Sequence, residues 1–389
     1  MIRSEERILT THTGSIARPD ALVDLMREKE NSRPYDEHAF EAGVVDAVSA
    51  CVARQIDVGL DVVNDGEQRK SGFTTYLTER IGGFDAEPEA FDPLRQSGWR
   101  EVAEFPEYYE RYFKNAMYGA MLGPLRRLVC RAPVRYEGHA ALVADIANLT
   151  AALEGREYTE AFMSAPLATS LADYRNEYYA THEEFLAALA EAVREEYKAI
   201  VEAGFLIQVD DPGAATLWGH ADLEPRERGR RVAETIELIN HCLRGIPPEK
   251  IRYHTCYSIN QGPHIYDLHL GDYAEAMFRV NAQAFSFEVM NTRHLHDYHA
   301  FEDLELPEGK VIIPGMVSHG ANWVEHPELI AELTVRYAEH VGRENVMIGN
   351  DCGFASQAGT REIDPAVGWV KFGALAEGAR LASERLWSK

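Results

Sequence analysis

The chain has 389 residues, of which 46% are hydrophobic, so it can bury a large core. Its formal net charge is −24 at pH 7, which argues against nucleic acid or an anionic membrane as a partner. No apolar run approaches the ~20 residues of a transmembrane helix, and residues 1–11 lack the apolar stretch of a signal peptide. These features argue against nucleic-acid-binding and membrane-spanning proteins and predict a soluble protein, but the acidity by itself says nothing about the substrate.

The opening elements predict a strand–helix–strand unit. Residues 8–15 are typical of a short strand that ends in a glycine turn. Apolar side chains recur at helical spacing over 36–58, and residues 61–64 form a buried strand that ends in Asp65-Gly66-Glu67. This order of elements predicts a parallel sheet.

An irregular segment follows, over residues 74–159. It mixes aromatic, charged and proline residues and is far too long for one crossover between strands. We expect an inserted lobe here, between the second and third strands, with a hairpin around Val134-Arg135-Tyr136.

Strands and helices then alternate to the end of the chain. Helices are predicted near 181–203, 226–243, 272–281, 327–341 and 367–386. The predicted strands begin near Leu9, Val62, Phe162, Phe205, Ile251, Phe285, Val311 and Val346. Eight strands, most of the later ones followed by a helix, predict an α/β fold of the (β/α)8 TIM-barrel type, with residues 1–389 forming a single barrel.

The five cysteines are few and widely spaced: Cys51, Cys130, Cys242, Cys256 and Cys352. An odd number without a regular spacing does not suit a disulfide framework. It suits free or metal-bound thiols in a reducing compartment, so the expected location is the cytoplasm. The first three fall away from strand ends, and we expect them to be structural.

Polar residues follow the apolar run of most predicted strands. They are Ser15, Glu67, Asp210, Asp211, His254, Cys256, Glu288, His319, Asp351 and Cys352. In a (β/α)8 barrel the carboxyl ends of the strands meet at one rim, where active sites are built. The sequence therefore predicts that these residues form one site.

His254 and Cys256 are two residues apart in a predicted strand, so both side chains point to the same side. Together with Glu288 and Cys352 they offer one nitrogen, two sulfurs and one oxygen, a set that suits Zn²⁺. Zinc lowers the pKa of a bound thiol, and the resulting thiolate can attack an electrophilic carbon. A structural zinc, or inert buried cysteines without metal, is the alternative interpretation.

Several of these motifs resemble the cobalamin-independent methionine synthase family. The matching stretches are Thr11-His12-Thr13-Gly14-Ser15, Asp65-Gly66-Glu67, Gln208-Val209-Asp210-Asp211-Pro212, His254-Thr255-Cys256, Phe287-Glu288 and Asp351-Cys352-Gly353. The resemblance implies a barrel whose zinc ligands are His254, Cys256, Glu288 and Cys352. It also implies the remaining roles: Ser15 and Glu67 bind the acceptor thiol, Asp210 with Asp211 beside it faces the donor, and His319 gives a proton to the leaving group.

The chain also departs from that family. Plant and bacterial methionine synthases carry a second, N-terminal barrel, and their Asp-Glu-Pro is Asp210-Asp211-Pro212 here. Residues 261–264, 324–328 and 377–380 are similar to a single-barrel branch that includes the epoxyalkane:coenzyme M transferases. Fold and metal do not determine the substrate, so the branch alone does not decide the reaction.

The leading hypothesis is zinc-dependent transfer of an alkyl group, preferably methyl, from a small donor to a thiol. It resembles the 5-methyltetrahydropteroyltriglutamate–homocysteine S-methyltransferase reaction. One alternative is the opening of an epoxide by zinc-bound coenzyme M, whose sulfonate would need a basic anchor such as Arg18, Arg69, Lys70 or Arg293. The others are a metal-free decarboxylase on a related barrel and a non-catalytic barrel stabilised by zinc.

Overall fold

The computed structural model describes residues 1–388 except 91, 93, 95–98, 118–120, 124–125, 173, 213–224, 258–259 and 362. Its strands are β1 (Leu9–Thr10), β2 (Val62–Val63), β3 (Ile81–Ala90), β4 (Arg126–Tyr136), β5 (Glu160–Pro166), β6 (Arg175–Asn176), β7 (Leu206–Asp210), β8 (Ile251–Thr255), β9 (Ala284–Phe287), β10 (Val311–Pro314) and β11 (Met347–Ile348). Its α-helices are α1 (Asp20–Glu30), α2 (Glu37–Asp57), α3 (Phe73–Arg80), α4 (Arg100–Glu104), α5 (Pro106–Tyr112), α6 (His139–Leu153), α7 (Thr169–Ala172), α8 (His182–Glu202), α9 (Pro225–Cys242), α10 (Leu270–Met277), α11 (Ala300–Asp303), α12 (Pro327–Val341) and α13 (Pro365–Trp387).

Parallel strands form a closed ring. One sheet has the order β10-β9-β8-β7-β5-β2, and a second sheet pairs β1 with β11. Parallel bridges between Ile312 and Val346 and between Gly315 and Gly349 join β10 to β11. The Asp61 amide donates to the Thr10 carbonyl at 3.1 Å and joins β1 to β2. Over the part of the chain that the structure describes, eight strands therefore close a (β/α)8 barrel, as predicted.

The long helices begin where the sequence supplies a capping side chain. Asp36 accepts from the amide of Ala39 at the start of α2, and Thr181 accepts from that of Glu184 at the start of α8. The predicted end at Asn281 is wrong: α10 stops at Met277, and the Asn281 amide donates instead to the Asn240 side chain at 2.7 Å. Among the described helices none is long and apolar enough to cross a membrane.

A second, smaller sheet is formed by β3 and β4, which lie between β2 and β5 in the chain, and by β6, which follows β5. There β3 pairs antiparallel with β4, and β4 pairs parallel with β6. Residues 134–136 are the end of β4, whose partner is β3 far upstream, so the expected local hairpin at that point is wrong. Helix α6 packs against α2 on the outside of the barrel. A separate lobe over 74–159, part of which lies outside the described residues, stays a prediction.

Alternation along the strands separates the barrel interior from the layer beneath the helices. The bottom of the interior is apolar. It is formed by Leu9, Val62, Phe162, Leu206, Ala284, Val311, Ile313 and Met347. Above it lies the fully buried Arg252, which donates to Thr11 Oγ1 at 2.9 Å and stacks 3.9 Å from the Phe162 ring. The floor of the barrel is thus packed, and side chains with reactive groups are left at the carboxyl ends of the strands.

Candidate metal centre

Two thiols and an imidazole meet at the carboxyl ends of the barrel strands. His254 lies in β8, Cys256 follows that strand directly, and Cys352 lies four residues beyond β11. All three are buried, and their ligand atoms lie within 4.8 Å of one another. The distance between Cys256 Sγ and Cys352 Sγ is 3.5 Å. The structure therefore brings together three of the four predicted zinc ligands.

These three residues fit a zinc ion. With zinc–sulfur bonds of about 2.3 Å, tetrahedral geometry separates two sulfurs by about 3.8 Å, near the distance between Cys256 and Cys352. A disulfide would need about 2.05 Å, and both cysteines are free. His254 Nδ1 lies 3.2 Å from Ser286 Oγ, which leaves the other ring nitrogen for an ion. The donor set and its spacing therefore suit a zinc ion.

The electrostatics of the cluster favour a thiolate at Cys352. Hydrogen bonding to Cys256 and then to His254 holds the pKa of the Cys352 thiol well below its usual range, against the effect of burial. The three buried cysteines elsewhere behave oppositely, because burial raises the pKa of Cys130 and raises that of Cys51 and of Cys242 to about 12. Environment thus separates Cys352, a potential metal ligand, from these structural thiols.

The fourth predicted ligand, Glu288, is held beside this cluster by other partners. Its carboxylate accepts from Asn291 Nδ2 at 2.8 Å and Arg293 Nη2 at 3.1 Å, and from the Tyr257 amide at 3.2 Å. One of its oxygens forms a group with His319 and Asp351 in which the ligand atoms lie within 4.8 Å. Burial, and then the nearby Asp351, raise the pKa of Glu288 well above its ordinary value.

Asp351 joins the loops that carry these groups. Its Oδ1 accepts from the amides of Val289 and Met290, each at 2.8 Å, so the backbone after Glu288 is fixed to the backbone before Cys352. Burial raises the pKa of Asp351 to about 7. The sequence placed this residue at a strand end but gave no sign of its part in joining two loops.

Ser15 and Glu67 lie at the rim in the segments that follow β1 and β2. Glu67 accepts from Ser164 Oγ at 2.5 Å, and its oxygens lie 3.8 Å from Lys70 Nζ and 3.9 Å from Arg18 Nη2. Ser15 lies against the loop after Cys352, since a Cβ on Gly353 would collide with Ser15 Oγ. Both residues are buried, and Ser15 borders the loop that carries Cys352.

The adjacent acids Asp210 and Asp211 point in opposite directions. Asp210 is aligned with His254 across β7 and β8 and accepts from Gln208 Nε2 at 2.9 Å. Burial, with a smaller contribution from Glu67, raises the pKa of Asp210 to about 7. Asp211 instead accepts from Tyr253 Oη at 2.9 Å behind the strand. The side chain of Asp210 thus lies on the same side of the sheet as His254, and that of Asp211 lies on the other side, as strand alternation requires.

A buried network that the sequence analysis missed supports the Ser15 and Glu67 turns. His12 Nε2 lies 2.8 Å from Gln55 Oε1, and the Gly14 amide donates to His12 Nδ1 at 3.2 Å. Gln55 Nε2 donates to the Asn64 carbonyl at 2.8 Å, and the Asn64 amide donates to Gln55 Oε1 at 2.9 Å. The one sign of this network in the sequence is Gln55, a polar residue on the apolar face of α2, which indicates a buried hydrogen-bonding partner.

The four candidate anchors for a sulfonate are all bonded to groups of the protein. Two of them donate to backbone carbonyls: Arg18 to that of Lys70, and Lys70, which also lies near Glu67, to that of Ser164. The other two form ion pairs: Arg69 with Glu41 and Asp145, and Arg293 with Glu288 and Asp267. Binding a sulfonate at any of them would compete with these contacts. The structure thus gives no specific support to the coenzyme M alternative.

Comparison with protein families gives a match over residues 167–370, just over half of the chain. The matching model describes the catalytic domain of cobalamin-independent synthase. The matched span includes Asp210 and the three clustered residues together with Glu288 and His319. The family assigned by comparison is therefore the one that the sequence motifs resemble.

Full-length relatives and solved structures agree with this match. A methionine synthase from Thermococcus kodakarensis is 25% identical over 97% of this chain and 94% of its own length. One from Saccharolobus solfataricus is 26% identical over 98% and 96%. The B12-independent methionine synthase of Shewanella sp. W3-18-1, solved with selenomethionine, superposes with a TM-score of 0.70 at 18% identity over 98% of this chain and 99% of that one. A putative vitamin-B12-independent methionine synthase from Listeria monocytogenes gives 0.66 at 19%, over 98% and 100%. The two structures share the fold of this chain.

Proposed function

The chain belongs to the cobalamin-independent synthase family, and from this premise we propose that it is a zinc-dependent enzyme that transfers a methyl group to a small thiol. The observation that carries the proposal is the convergence of His254, Cys256 and Cys352, with ligand atoms within 4.8 Å. The relatives named methionine synthase suggest homocysteine as the acceptor.

Zinc is the cofactor that the donor set favours. His254, Cys256 and Cys352 would hold it, and Glu288 would complete the set when it exchanges its bonds with Asn291 and Arg293 for the ion. A zinc ion in this place lowers the pKa of a substrate thiol, so that sulfur is a thiolate nucleophile at neutral pH. In the structure Asn291 and Arg293 donate to the Glu288 carboxylate, so these two residues would hold Glu288 whenever it is not a ligand.

The acceptor would lie between the cluster and the acidic part of the rim. Homocysteine carries an ammonium group, and the buried carboxylate of Glu67 would supply the negative charge that binds it. Ser15, beside the Cys352 loop, offers a hydroxyl to the amino-acid part of the substrate. These contacts would fix the sulfur in line with the methyl carbon of the donor.

Methyl transfer forms a sulfur–carbon bond and breaks the bond between that carbon and the donor atom. The electron pair of the broken bond stays on the donor, which then needs a proton. Asp210, with its pKa raised by burial to about 7, can carry this proton at neutral pH. His319, which has a ring nitrogen within 4.8 Å of a Glu288 oxygen, is the second candidate for this proton donor.

The test compares substitutions at two buried cysteines, one inside the cluster and one outside it. Cys352→Ser should lose bound zinc and methyl transfer from methylfolate to homocysteine, while Cys242→Ala, at the end of α9, should keep both. Zinc is measured by mass spectrometry and folding by circular dichroism, so loss of metal is distinguished from loss of fold. Full activity in Cys352→Ser would contradict the proposal, and an active wild type without zinc would contradict its metal part.

A further inference from the structure

A second group of metal-binding side chains lies on the outer rim of the barrel. His269 precedes α10, and His296 and Asp297 lie in the loop between β9 and α11. One ligand atom of each lies within 4.8 Å of the others. We propose that these residues form a second site, which binds a divalent transition-metal ion and is independent of the buried centre.

The geometry presents one carboxylate oxygen to two imidazoles. Asp297 Oδ1 lies 3.5 Å from His269 Nδ1 and 3.8 Å from His296 Nε2. The two rings are 5.0 Å apart and inclined by 63°, so they do not stack on each other. Two imidazoles and a carboxylate suit Zn²⁺, Ni²⁺, Co²⁺ and Fe²⁺ better than Mg²⁺ or Ca²⁺, which prefer oxygen ligands.

Hydrogen bonds to its second oxygen fix the orientation of the Asp297 carboxylate. Asp297 is 4% exposed, and its other oxygen, Oδ2, accepts from His294 Nδ1 at 2.8 Å and from the Leu270 amide at 3.2 Å. His294 is itself stacked on the Tyr257 ring at 4.2 Å. Fixed partners of this kind orient a ligand and raise metal affinity.

The two histidines are open to solvent, which gives an ion access. The side chains of His269 and His296 are 59% and 56% exposed, whereas Asp297 lies beneath them. With three protein ligands, water would fill the remaining coordination positions. The site therefore differs from the buried cluster in two respects. Its ligand atoms are nitrogen and oxygen without sulfur, and its exposure would allow the ion to exchange with solvent.

The proposal does not depend on the proposed methyl transfer, and a metal titration tests it. Protein whose buried centre holds one equivalent of Zn²⁺ is titrated with Ni²⁺ by calorimetry. Wild type should bind one further ion per chain, and His296→Ala and His269→Ala should lose it. His299→Ala, an exposed histidine in the same loop region that pairs with Glu302, is the matched control and should bind as wild type.

Cys352→Ser provides a separate arm of the experiment. It should keep the Ni²⁺ ion of the outer site even when zinc is lost from the buried centre, which distinguishes failure of this inference from failure of the proposed function. Absence of a further ion in wild type, or undiminished binding in both His269→Ala and His296→Ala, would overturn the inference. Equal loss in His299→Ala would also overturn it, since binding would then be non-specific.

Discussion

His12 shows how one residue at the rim depends on a single protonation state. The neutral ring with its proton on Nε2 donates to Gln55 and accepts from the Gly14 amide at Nδ1. A second proton on Nδ1 would face the Gly14 N–H and break that contact. Burial lowers the pKa of His12 to about 3, against the effect of the Gln55 hydrogen bond.

This environment predicts a specific loss of stability in acid. Between pH 6.5 and about 3 the unfolded chain binds a proton at His12 that the folded chain does not, so stability falls as pH falls through this window and is fully present above it. One proton changes the free energy of unfolding by about 1.4 kcal/mol per pH unit. His12→Gln removes this contribution, so its stability relative to wild type should improve by about 2 kcal/mol between pH 7 and pH 5.

Urea unfolding at the two pH values measures the difference. His38→Gln, at an exposed position of α2, is the control and should follow the wild-type pH dependence. An unchanged difference between wild type and His12→Gln across this range would mean that His12 takes up its proton at the same pH in the folded protein as in the unfolded chain.

At the scale of elements, α13 stabilises the loop that carries His319 through one buried ion pair. Lys371 Nζ lies 2.9 Å from both oxygens of Glu325, and neither side chain is more than 3% exposed. Glu325 Oε1 also accepts from the Ser318 amide at 2.9 Å, next to His319. The helix thus fixes the backbone of a residue at the metal centre.

Removing the cation should be strongly destabilising. Lys371→Met leaves the Glu325 carboxylate buried without its partner, and breaking a buried pair in this way costs about 3–5 kcal/mol. Thermal and urea unfolding should register the loss. Arg380→Met removes a surface ion pair with Glu377 on the same helix and should unfold close to wild type. Equal stability of Lys371→Met and wild type would show that Glu325 becomes protonated or reaches water.

The elements that the sequence predicted well are those with local signals. The eight barrel strands were recognised as apolar runs, and α2 and α12 were bounded by side chains that cap them or by a proline at the start. The pairing of β3 with β4 was missed, because strands separated by some forty residues carry no sign of their partner. Alternation within a strand predicted that His254 and Cys256 share a face, but it was not applied to Asp210 and Asp211.

The candidate site was predictable to the same extent. The residues at strand ends could be collected because barrel geometry brings all such ends to one rim. The contacts of Glu288 with Asn291 and Arg293 could not be predicted, since they depend on the path of a loop. The His12–Gln55–Asn64 network was likewise hidden, because it joins three elements through side-chain amides.

At the scale of the whole molecule, the candidate metal centre lies beside the seam that closes the barrel. The seam joins the first and last strands: β1 and β11 have two residues each, and the Thr11 amide donates to the Ile348 carbonyl at 2.9 Å. Cys352 follows this seam, whereas His254 lies in β8 of the other sheet and Cys256 directly follows that strand. An ion held by all three would therefore join distant parts of the ring.

Metal removal should lower stability and loosen the seam before the rest of the barrel. A ligand that binds only the folded state stabilises it by about 4 kcal/mol at a thousandfold excess over Kd, so chelation should reduce the Tm of wild type by several degrees. Hydrogen exchange should accelerate most in peptides over residues 8–14 and 345–353, and least over β7, whose neighbours β5 and β8 pair along most of its length. Cys352→Ser should already exchange rapidly at the seam and not respond to chelator, while Cys242→Ala should respond as wild type. Uniform acceleration over the whole ring would mean that the ion stabilises the fold without any special part in its closure.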